Sequence, residues 1–524
     1  MTSRGFISRA LASALVIALS LTAAVSSVRA DTLVYALYDD IKDWDPAVAF
    51  SLEAILLRNV YEPLVRYAAL EPGDPSDTPP IEGVLATNWQ VSDDALTWTF
   101  TLRDGVTFHD GTPLNAAAAK ASLDRTIALG QGAAFIWDGV EEITAPDDTT
   151  LVIRASRPIP IDLIASAQYG AYIYSPTAAE NGTDWFNQGN ASGTGPYTVA
   201  GWTRGQQIVL EQNPDYWRTW EEGQFKRVIM KVVAEAATQA QLIRSGGADF
   251  VTLLPVDLLQ RLKNDADITV DLAPSWINTQ ALINTKKYPT DDINFRRALT
   301  HAWDYASIAT EIYQGTADVA RGPVPATMWG HNPDLPAPAF DLEEAKRLVE
   351  ASGIPPRDRK ISAAYVGTAA EVTNSLLVFQ AYLATIGVEL QLRPGPWGKI
   401  WDDAKNLRTA PNMQVLSWWP TYPTPADWLQ GMYRTEDPTL FNLAHYSNEE
   451  FDALVDQARA LESTDRQAAI DLYARAQQIL VDDAVAIFFA DVSARYVHRS
   501  DIEGVEKNPA YVGVDFYSLR RRQP

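Results

Sequence analysis

The chain has 524 residues, a formal net charge of −23 and no cysteine. The absence of cysteine excludes disulfides, thiolate metal sites and cysteine nucleophiles, so a hydrophobic core must hold the fold, and a chain of this length can bury one. The strongly negative charge argues against nucleic acid and anionic membrane surfaces as partners.

Residues 1–30 have the pattern of a cleavable signal peptide. Arg4 and Arg9 precede the apolar run "LASALVIALSLTAAV", and "SVRA" ends close to the small-x-small pattern that signal peptidase cuts. We expect a mature chain of 494 residues beginning at Asp31, with a net charge of −26 because the removed segment carries three arginines and no acid. The alternative is an uncleaved membrane anchor, for which the apolar run is short. With no cysteine to carry a lipid, a freely soluble protein of the Gram-negative periplasm is expected.

The first half of the mature chain has the alternation of a β-rich unit. "DTLVYAL" predicts a strand, and the Asp-Pro pair in "DWDP" predicts a turn. Trp98, Phe100 and Leu102 alternate with polar residues, and two Asp-Gly turns follow, which predicts hairpins with one buried face. The pattern of residues 192–217 predicts a glycine turn, a strand, a second turn and a second strand. Because no Gly-Lys-Ser/Thr follows these glycines, a phosphate loop is not expected.

After residue 235 the pattern changes to alternating helices and strands, as in a layered α/β lobe. Capping signatures predict helices that begin at Asp341, Ser447 and Thr464, each of which is followed three positions later by Glu or Gln. The apolar run "AVAIFFA", residues 484–490, predicts a strand that is covered on both faces.

The sequence contains no recognisable catalytic or metal-binding motif. Its five histidines, at positions 109, 301, 331, 445 and 498, lack metal-ligand spacing, and neither Gly-x-Ser-x-Gly nor His-Glu-x-x-His occurs. We therefore expect no metal site, no cofactor and no enzymatic activity. A secreted hydrolase acting on carbohydrate is the alternative from another class, because the two carboxylates of a glycosidase can lie far apart in sequence.

The segment "SWWPTYPTP", Ser417 to Pro425, holds two tryptophans, a tyrosine and three prolines without a charge. It has two interpretations. The rings fill a core, or they form a rigid wall against a ligand, because prolines fix the backbone while the rings offer apolar faces with polar edges. Composition alone leaves both open.

"ATNWQVSDDALTWTFTLRDGVTFHDGTPLNAAAAKASLDR", residues 86–125, closely resembles the signature segment of the family 5 extracellular solute-binding proteins, the peptide and nickel receptors of ABC importers. Further matches run in the family's order: "WDP" near the mature start, then "GTGPY", "LEQNPDYW", "INTKKYPTDDINFRRALTHAWD", "RGPVP" and "HYSNEEFDALVDQA". Together they span nearly the whole mature chain.

The resemblance implies an α/β, two-lobed periplasmic binding fold with an extra β-rich subdomain on lobe one. Lobe one would comprise residues 31–54, 176–272 and 488–524, the extra subdomain residues 55–175, and lobe two residues 273–487. The chain would cross between the lobes near "PSWINTQ" and "AIFFADV", and the ligand would lie between the lobes. The implied partners are a small-molecule ligand and an ABC permease of the inner membrane, and we expect a monomer.

The resemblance also implies ligand-binding residues. In peptide-binding relatives the segment that matches "SWWPTYPTP" lines the cleft, and a tryptophan equivalent to Trp418 contacts the ligand. The expected ligand-binding set is Trp418, Trp419, Thr421, Tyr422, Trp276, Phe50, Phe489, Arg408 and Asp427. The alternatives are hinge packing for the aromatics near the crossings and a solvated turn for Arg408. Alanine at Trp418 or Trp276 is expected to weaken binding and to leave the unliganded melting point nearly unchanged.

One departure from the family pattern concerns the ligand. Peptide-binding members place an aspartate three residues after the tryptophan, where it pairs with the free amino terminus of the peptide, and this chain has Thr421 there. Thr424 does not restore the charge, and Asp427 is the nearest carboxylate. Because an unpaired buried ammonium is costly, we expect a ligand without one, such as an oligosaccharide, an opine-like conjugate or another modified compound. Ordinary peptides rank second, and a nickel chelate near His445 ranks third.

Overall fold

The computed structural model describes residues 31–68 and 81–522, so the expected signal peptide lies outside the described residues. The α-helices are α1 Ala54–Val60, α2 Ala116–Leu129, α3 Ile161–Ile164, α4 Pro176–Ala179, α5 Thr183–Phe186, α6 Ala236–Ser245, α7 Val256–Leu262, α8 Ile293–His301, α9 Tyr305–Ser307, α10 Leu342–Ala351, α11 Ala370–Thr385, α12 Trp397–Ala404, α13 Ala426–Tyr433, α14 Glu449–Leu461 and α15 Arg466–Asp482. Short 3-10 turns lie at Ala134–Trp137 and Pro356–Asp358, and a π-turn lies at Ile308–Ile312.

An 11-stranded mixed sheet forms the frame of the molecule. Its strands, in spatial order, are β10 Tyr197–Thr203, β11 Gln207–Gln212, β12 Arg227–Val232, β1 Thr32–Leu37, β13 Phe250–Thr252, β19 Ala486–Arg499, β14 Ile268–Ile283, β18 Met413–Trp418, β16 Lys360–Val366 and β17 Glu389–Gly395, with β15 Ala317–Asp318 paired to β19. Two long strands, β14 and β19, lie at the centre of this sheet. They join one half, formed by strands within residues 32–252, to the other half, formed by strands within residues 360–418.

The two central strands pair with each other and with both halves. The first residues of β14 and the last residues of β19 pair together beside β13, whereas the end of β14 pairs with β18. The β14–β19 register shifts between Ala273 and Ile277 and again between Thr279 and Gln280. A β-bulge adds twist and bend to a strand, so the ladder is irregular within the first expected crossing segment.

A separate four-stranded antiparallel sheet, in the order β5-β6-β8-β7, makes up the β-rich unit. Its strands are β5 Ala86–Val91, β6 Thr97–Leu102, β7 Val140–Thr144 and β8 Thr150–Ala155. Along β6, Trp98, Phe100 and Leu102 are buried against this unit's core, which confirms the predicted face. Three two-stranded sheets complete the fold: β2 Glu62–Pro63 with β9 Tyr172–Ile173, β3 Val65–Tyr67 with β4 Ile81–Gly83, and β20 Ile502–Glu503 with β21 Arg520–Arg521.

The helix starts agree with the capping signatures to within one residue. Asp341 is the N-cap of α10 and accepts from the backbone N–H of Glu344, as predicted. At the next two sites the prediction was wrong by one position, because Asn448 caps α14 and Asp465 caps α15. Both side chains accept backbone N–H groups of the first turn, the role that the preceding Ser447 and Thr464 were expected to fill.

Among the described residues, none of the helices has the length and apolar character needed to cross a bilayer.

Candidate functional site

The proline-rich segment begins with the last two residues of β18 and connects this strand to α13. Its three prolines have no N–H, so the segment has few donors of its own for its carbonyl groups. Other parts of the chain supply the donors. The indole Nε1 of Trp329 donates to the Pro423 carbonyl at 2.9 Å, and Gln168 donates to the Pro420 and Thr421 carbonyls.

Trp418, the last residue of β18, is held inside this region. Its side chain is only 6 % exposed, its ring meets the Phe441 ring edge-on at 5.0 Å, and its Nε1 donates to Oδ2 of Asp427 at 3.1 Å. The backbone N–H of Thr421 donates to the same oxygen at 2.8 Å. Burial raises the pKa of Asp427 to about 7. The carboxylate therefore organises the loop from within.

Trp419, the second tryptophan of the segment, is half-buried and contacts residues much earlier in the chain. Its Nε1 donates to the hydroxyl of Tyr169 at 3.3 Å, and that hydroxyl donates to the Ser51 carbonyl at 2.5 Å. Phe50, also half-buried, lies 4.9 Å from the Tyr169 ring and 6.0 Å from the Phe441 ring. Ser51 has a φ of 102°, a strained value for a residue with a side chain. The structure thus places Phe50 and Trp419 both against Tyr169.

Residues 420–425 of the segment are buried. Tyr422 is 4 % exposed and Thr421 1 %. Thr424 is fully buried and donates from its hydroxyl to Glu462. These side chains pack beneath the loop and give it a fixed conformation.

Three further residues of the expected set have other ring partners or, within the described residues, none. Phe489 packs in a hydrophobic core that includes Trp303 and Phe379, and its ring lies 4.6 Å from the Trp303 ring. Trp276 is 1 % exposed and meets Tyr67 edge-on at 5.5 Å. Arg408 lies exposed on the turn before β18, so this strand, roughly 17 Å long, separates it from Trp418. A ligand-binding role for these residues stays a prediction.

Sequence reasoning missed an aromatic ladder beside the loop. Trp397 and Trp401 are stacked at 6.2 Å on α12, and Trp401 stacks on Phe441 at 5.4 Å. Lys405 lies 3.9 Å from the centre of the Trp401 ring. The separation of four residues between the two tryptophans places them on one helical face, which is a signal that could have revealed them.

The ends of three strands indicate where a ligand is expected. The exposed residues Tyr38 and Leu253 follow the parallel strands β1 and β13, and Trp397 follows β17. At the start of α11, Glu371 accepts a hydrogen bond from the backbone N–H of Val256, the first residue of α7, at 2.9 Å. Ligands of open α/β sheets bind beyond the carboxyl ends of strands, so a ligand is expected beyond the ends of β1, β13 and β17.

Two cavities lie outside this aromatic region. One, of about 70 Å³, is lined by Arg58, Glu62, Arg66, Arg218 and Asp515 together with several tyrosines. The other, of about 200 Å³, lies between β17 and α12 and is bordered by Arg393, Lys399 and Asp403. Neither is lined by Trp418, Trp419, Tyr422 or Phe50.

Metal binding has no structural support in the described part of the chain. No group of three or more histidine, aspartate and glutamate side chains there is arranged to hold an ion. The Nε2 of His445, the nearest histidine to the loop in sequence, is paired with the Ala404 carbonyl at 2.9 Å.

Comparison with known proteins gives consistent matches. Residues 80–439 match the model of the bacterial extracellular solute-binding proteins, family 5, middle region. The probable D,D-dipeptide-binding periplasmic protein DdpA of Escherichia coli (strain K12) is 30 % identical over 506 residues, which is 95 % of each chain.

Solved structures share the fold over most of their length. A dipeptide-binding protein of Pseudoalteromonas sp. SM9913 in complex with Met-Leu superposes with a TM-score of 0.83 at 21 % identity, covering 94 % of this chain and all of the other. The binding protein MoaA of A. tumefaciens R10 in complex with mannopinic acid superposes at 0.80 with 23 % identity, over 94 % of this chain and 100 % of that one. These neighbours are two-lobed periplasmic binding proteins, which confirms the predicted fold class.

Proposed function

We propose that this chain, which belongs to the bacterial extracellular solute-binding proteins of family 5, captures a small polar solute that lacks a paired α-ammonium and delivers it to an ABC permease. The capture site is the region where Trp419 and Phe50 both lie against Tyr169, at the edge between the lobes. Tyr38 follows β1 in one half of the sheet, and Trp397 follows β17 in the other half. Half-buried rings of this kind provide stacking faces for a ligand, each worth about 0.5 to 1.5 kcal/mol beyond the area buried.

The observation that carries the ligand class is the environment of Thr421 and Asp427. Thr421 stands where peptide-binding relatives carry their aspartate, and it is buried. The nearest carboxylate, Asp427, is 4 % exposed and accepts from the Trp418 indole and the Thr421 N–H through one oxygen. The two donors and burial hold this carboxylate beneath the loop, and burial also raises its pKa to about 7, so it is a poor counter-charge for a ligand ammonium. We therefore favour an oligosaccharide, an opine-like conjugate or another modified compound.

A D,D-dipeptide is the second candidate, and one observation favours it. The relative named as a probable D,D-dipeptide-binding protein matches over 95 % of both chains. Neighbours with the same fold hold Met-Leu in one structure and mannopinic acid in another, so the fold accommodates more than one ligand class.

Calorimetry of ligand-stripped protein separates these candidates. The protein is titrated with a sugar library, with mannopinic acid, with L,L-dipeptides and with D-Ala-D-Ala, each peptide also in its N-acetylated form. We expect binding that does not depend on a free amino group. Micromolar or tighter binding of unmodified peptides, abolished by acetylation, would contradict the proposed ligand class and support the dipeptide candidate.

The proposed role also specifies location and chemistry. We propose a monomer in the periplasm, secreted through the signal peptide at residues 1–30, with lobes at the boundaries expected above. The rival, a secreted hydrolase, predicts turnover. Recovery of the bound compound intact after release, checked by mass spectrometry, supports the receptor, and a cleaved product supports the hydrolase.

A further inference from the structure

One glutamine joins three distant stretches of the chain. The backbone N–H of Gln168 donates to the Thr421 carbonyl at 3.2 Å, and its side-chain Nε2 donates to the Pro420 carbonyl. Its Oε1 accepts from the backbone N–H of Val512 at 2.9 Å. Gln168 is 2 % exposed, so these bonds are shielded from water.

The position of these bonds follows from the proline content of the loop. Pro420 has no N–H, and the N–H of Thr421 is committed to Asp427, so this stretch cannot pair with a neighbouring strand. Its carbonyl groups still require donors when buried. Gln168 supplies them from another part of the molecule.

The same bonds cross the expected boundary between the lobes. Gln168 lies in the extra subdomain and Val512 in lobe one, whereas Pro420 and Thr421 lie in lobe two. The neighbouring Tyr169 adds a second crossing through its hydroxyl, which accepts from Trp419. Rotation of lobe two away from lobe one breaks the bonds to Pro420 and Thr421 and leaves the bond to Val512 in place.

We propose that Gln168 is a positioning residue that holds the proline-rich loop against lobe one and shifts the ligand-free protein toward the closed state. The inference rests on the proposed function, since it requires two lobes that open and close. Apparent affinity scales with the fraction of protein in the binding-competent state. Gln168 therefore strengthens capture of every ligand by the same factor without contacting any of them.

The test measures the distance between the lobes without ligand. Because the chain has no cysteine, Asp93→Cys and Thr464→Cys place two spin labels on exposed positions of the extra subdomain and lobe two. Double electron–electron resonance then gives the populations of open and closed protein. In Gln168→Ala, which loses the side-chain bond to Pro420, we expect the open-to-closed ratio to rise roughly five- to tenfold.

Two further variants make the result specific. Gln168→Glu, measured at alkaline pH so that its carboxyl is ionised, keeps an acceptor for Val512 but has no donor for Pro420, so it should open at least as far as Gln168→Ala. Gln477→Ala removes another buried glutamine, whose Nε2 donates to the Gly330 carbonyl at 2.7 Å within lobe two. It should lower the melting temperature and leave the distance distribution unchanged.

An unchanged distribution in Gln168→Ala, closure retained in Gln168→Glu, or an equal shift in Gln477→Ala would overturn the inference. The measurement uses no ligand, so its outcome is independent of whether the proposed ligand class is correct.

Discussion

Asp427 accepts the indole N–H of Trp418 through Oδ2 at 3.1 Å, so the acid that follows the loop is bonded to the ring that begins it. The backbone N–H of Thr421 reaches the same oxygen. This geometry explains how the chain keeps a rigid aromatic loop without the aspartate of its peptide-binding relatives. It also separates the two tryptophans by role, because Trp418 is bonded to Asp427 within its own segment and Trp419 bonds Tyr169, 250 residues earlier.

Alanine substitutions at the two tryptophans should have different effects. Trp418→Ala removes a buried ring and leaves a cavity, so the free energy of unfolding of unliganded protein should fall by about 3–5 kcal/mol. This replaces the expectation from sequence that its melting point is nearly unchanged. Trp419→Ala should cost less stability and weaken ligand binding. Chemical denaturation and calorimetry measure the two effects, and a small stability loss in Trp418→Ala would contradict the assigned burial.

Stability should depend on pH through buried aspartates. Burial raises the pKa of both Asp427 and Asp491 to about 7, above their unfolded value of about 4. The folded state therefore holds protons that the unfolded state releases. Each group's contribution is fully present below pH ~4 and is lost as the pH rises through about 7, at up to about 1.4 kcal/mol per pH unit.

The variant Asp427→Asn tests this pH dependence directly. Both donors reach a single oxygen of Asp427, so an amide oxygen can replace it and preserve the loop. The variant should show a flatter decline of unfolding free energy between about pH 4 and 7, in urea titrations, with Asp93→Asn as an exposed control. A slope equal to that of the parent protein would show that Asp427 does not titrate in this range.

Restoring the acid of the peptide-binding relatives should fail on its own. Thr421→Asp places a second carboxylate beside Asp427 in a buried site, so it should lower the melting temperature and add no peptide affinity. The double variant Thr421→Asp/Asp427→Asn removes the like-charge repulsion. We expect it to recover stability and to gain binding of dialanine but not of N-acetyl-dialanine. Peptide affinity in Thr421→Asp alone would show that Asp427 does not repel the new carboxylate.

An ion pair between Arg495 of β19 and Glu371 of α11 can also be tested. The Arg495 side chain, 8 % exposed, bonds Glu371 at 3.1 Å and the Leu254 carbonyl at the same distance. Glu371→Gln leaves the buried guanidinium without a counter-charge, which should cost about 3–5 kcal/mol. Adding Arg495→Met should recover much of that loss in thermal unfolding. No recovery would mean that Glu371 acts through Val256 rather than through Arg495.

Short-range sequence patterns predicted strand β6 and the approximate starts of three helices. The alternation of Trp98, Phe100 and Leu102 is sufficient to define β6, since a strand repeats every two residues. The helix starts near Ser447 and Thr464 were displaced because the following Asn448 and Asp465 have equally capable side chains. Which of two adjacent capping residues adopts the extended backbone is not determined by residue type.

The site was less predictable because its contacts are distant in sequence. The exposure of Trp419 relative to Trp418 depends on Tyr169, which lies 250 residues earlier. An irregular loop has no period from which the direction of a ring can be read. Phe489 illustrates the same limit, since the run "AVAIFFA" predicts a buried strand but does not indicate which core receives each ring.

The shared ladder of β14 and β19 has a consequence for how the protein unfolds. The end of β19 pairs with β13 and the end of β14 pairs with β18, so neither sheet half contains a full set of strands of its own. Loss of one half removes the pairing partners of the other. The protein should therefore unfold as one cooperative unit despite its size, with the calorimetric enthalpy equal to the van't Hoff enthalpy in a single transition.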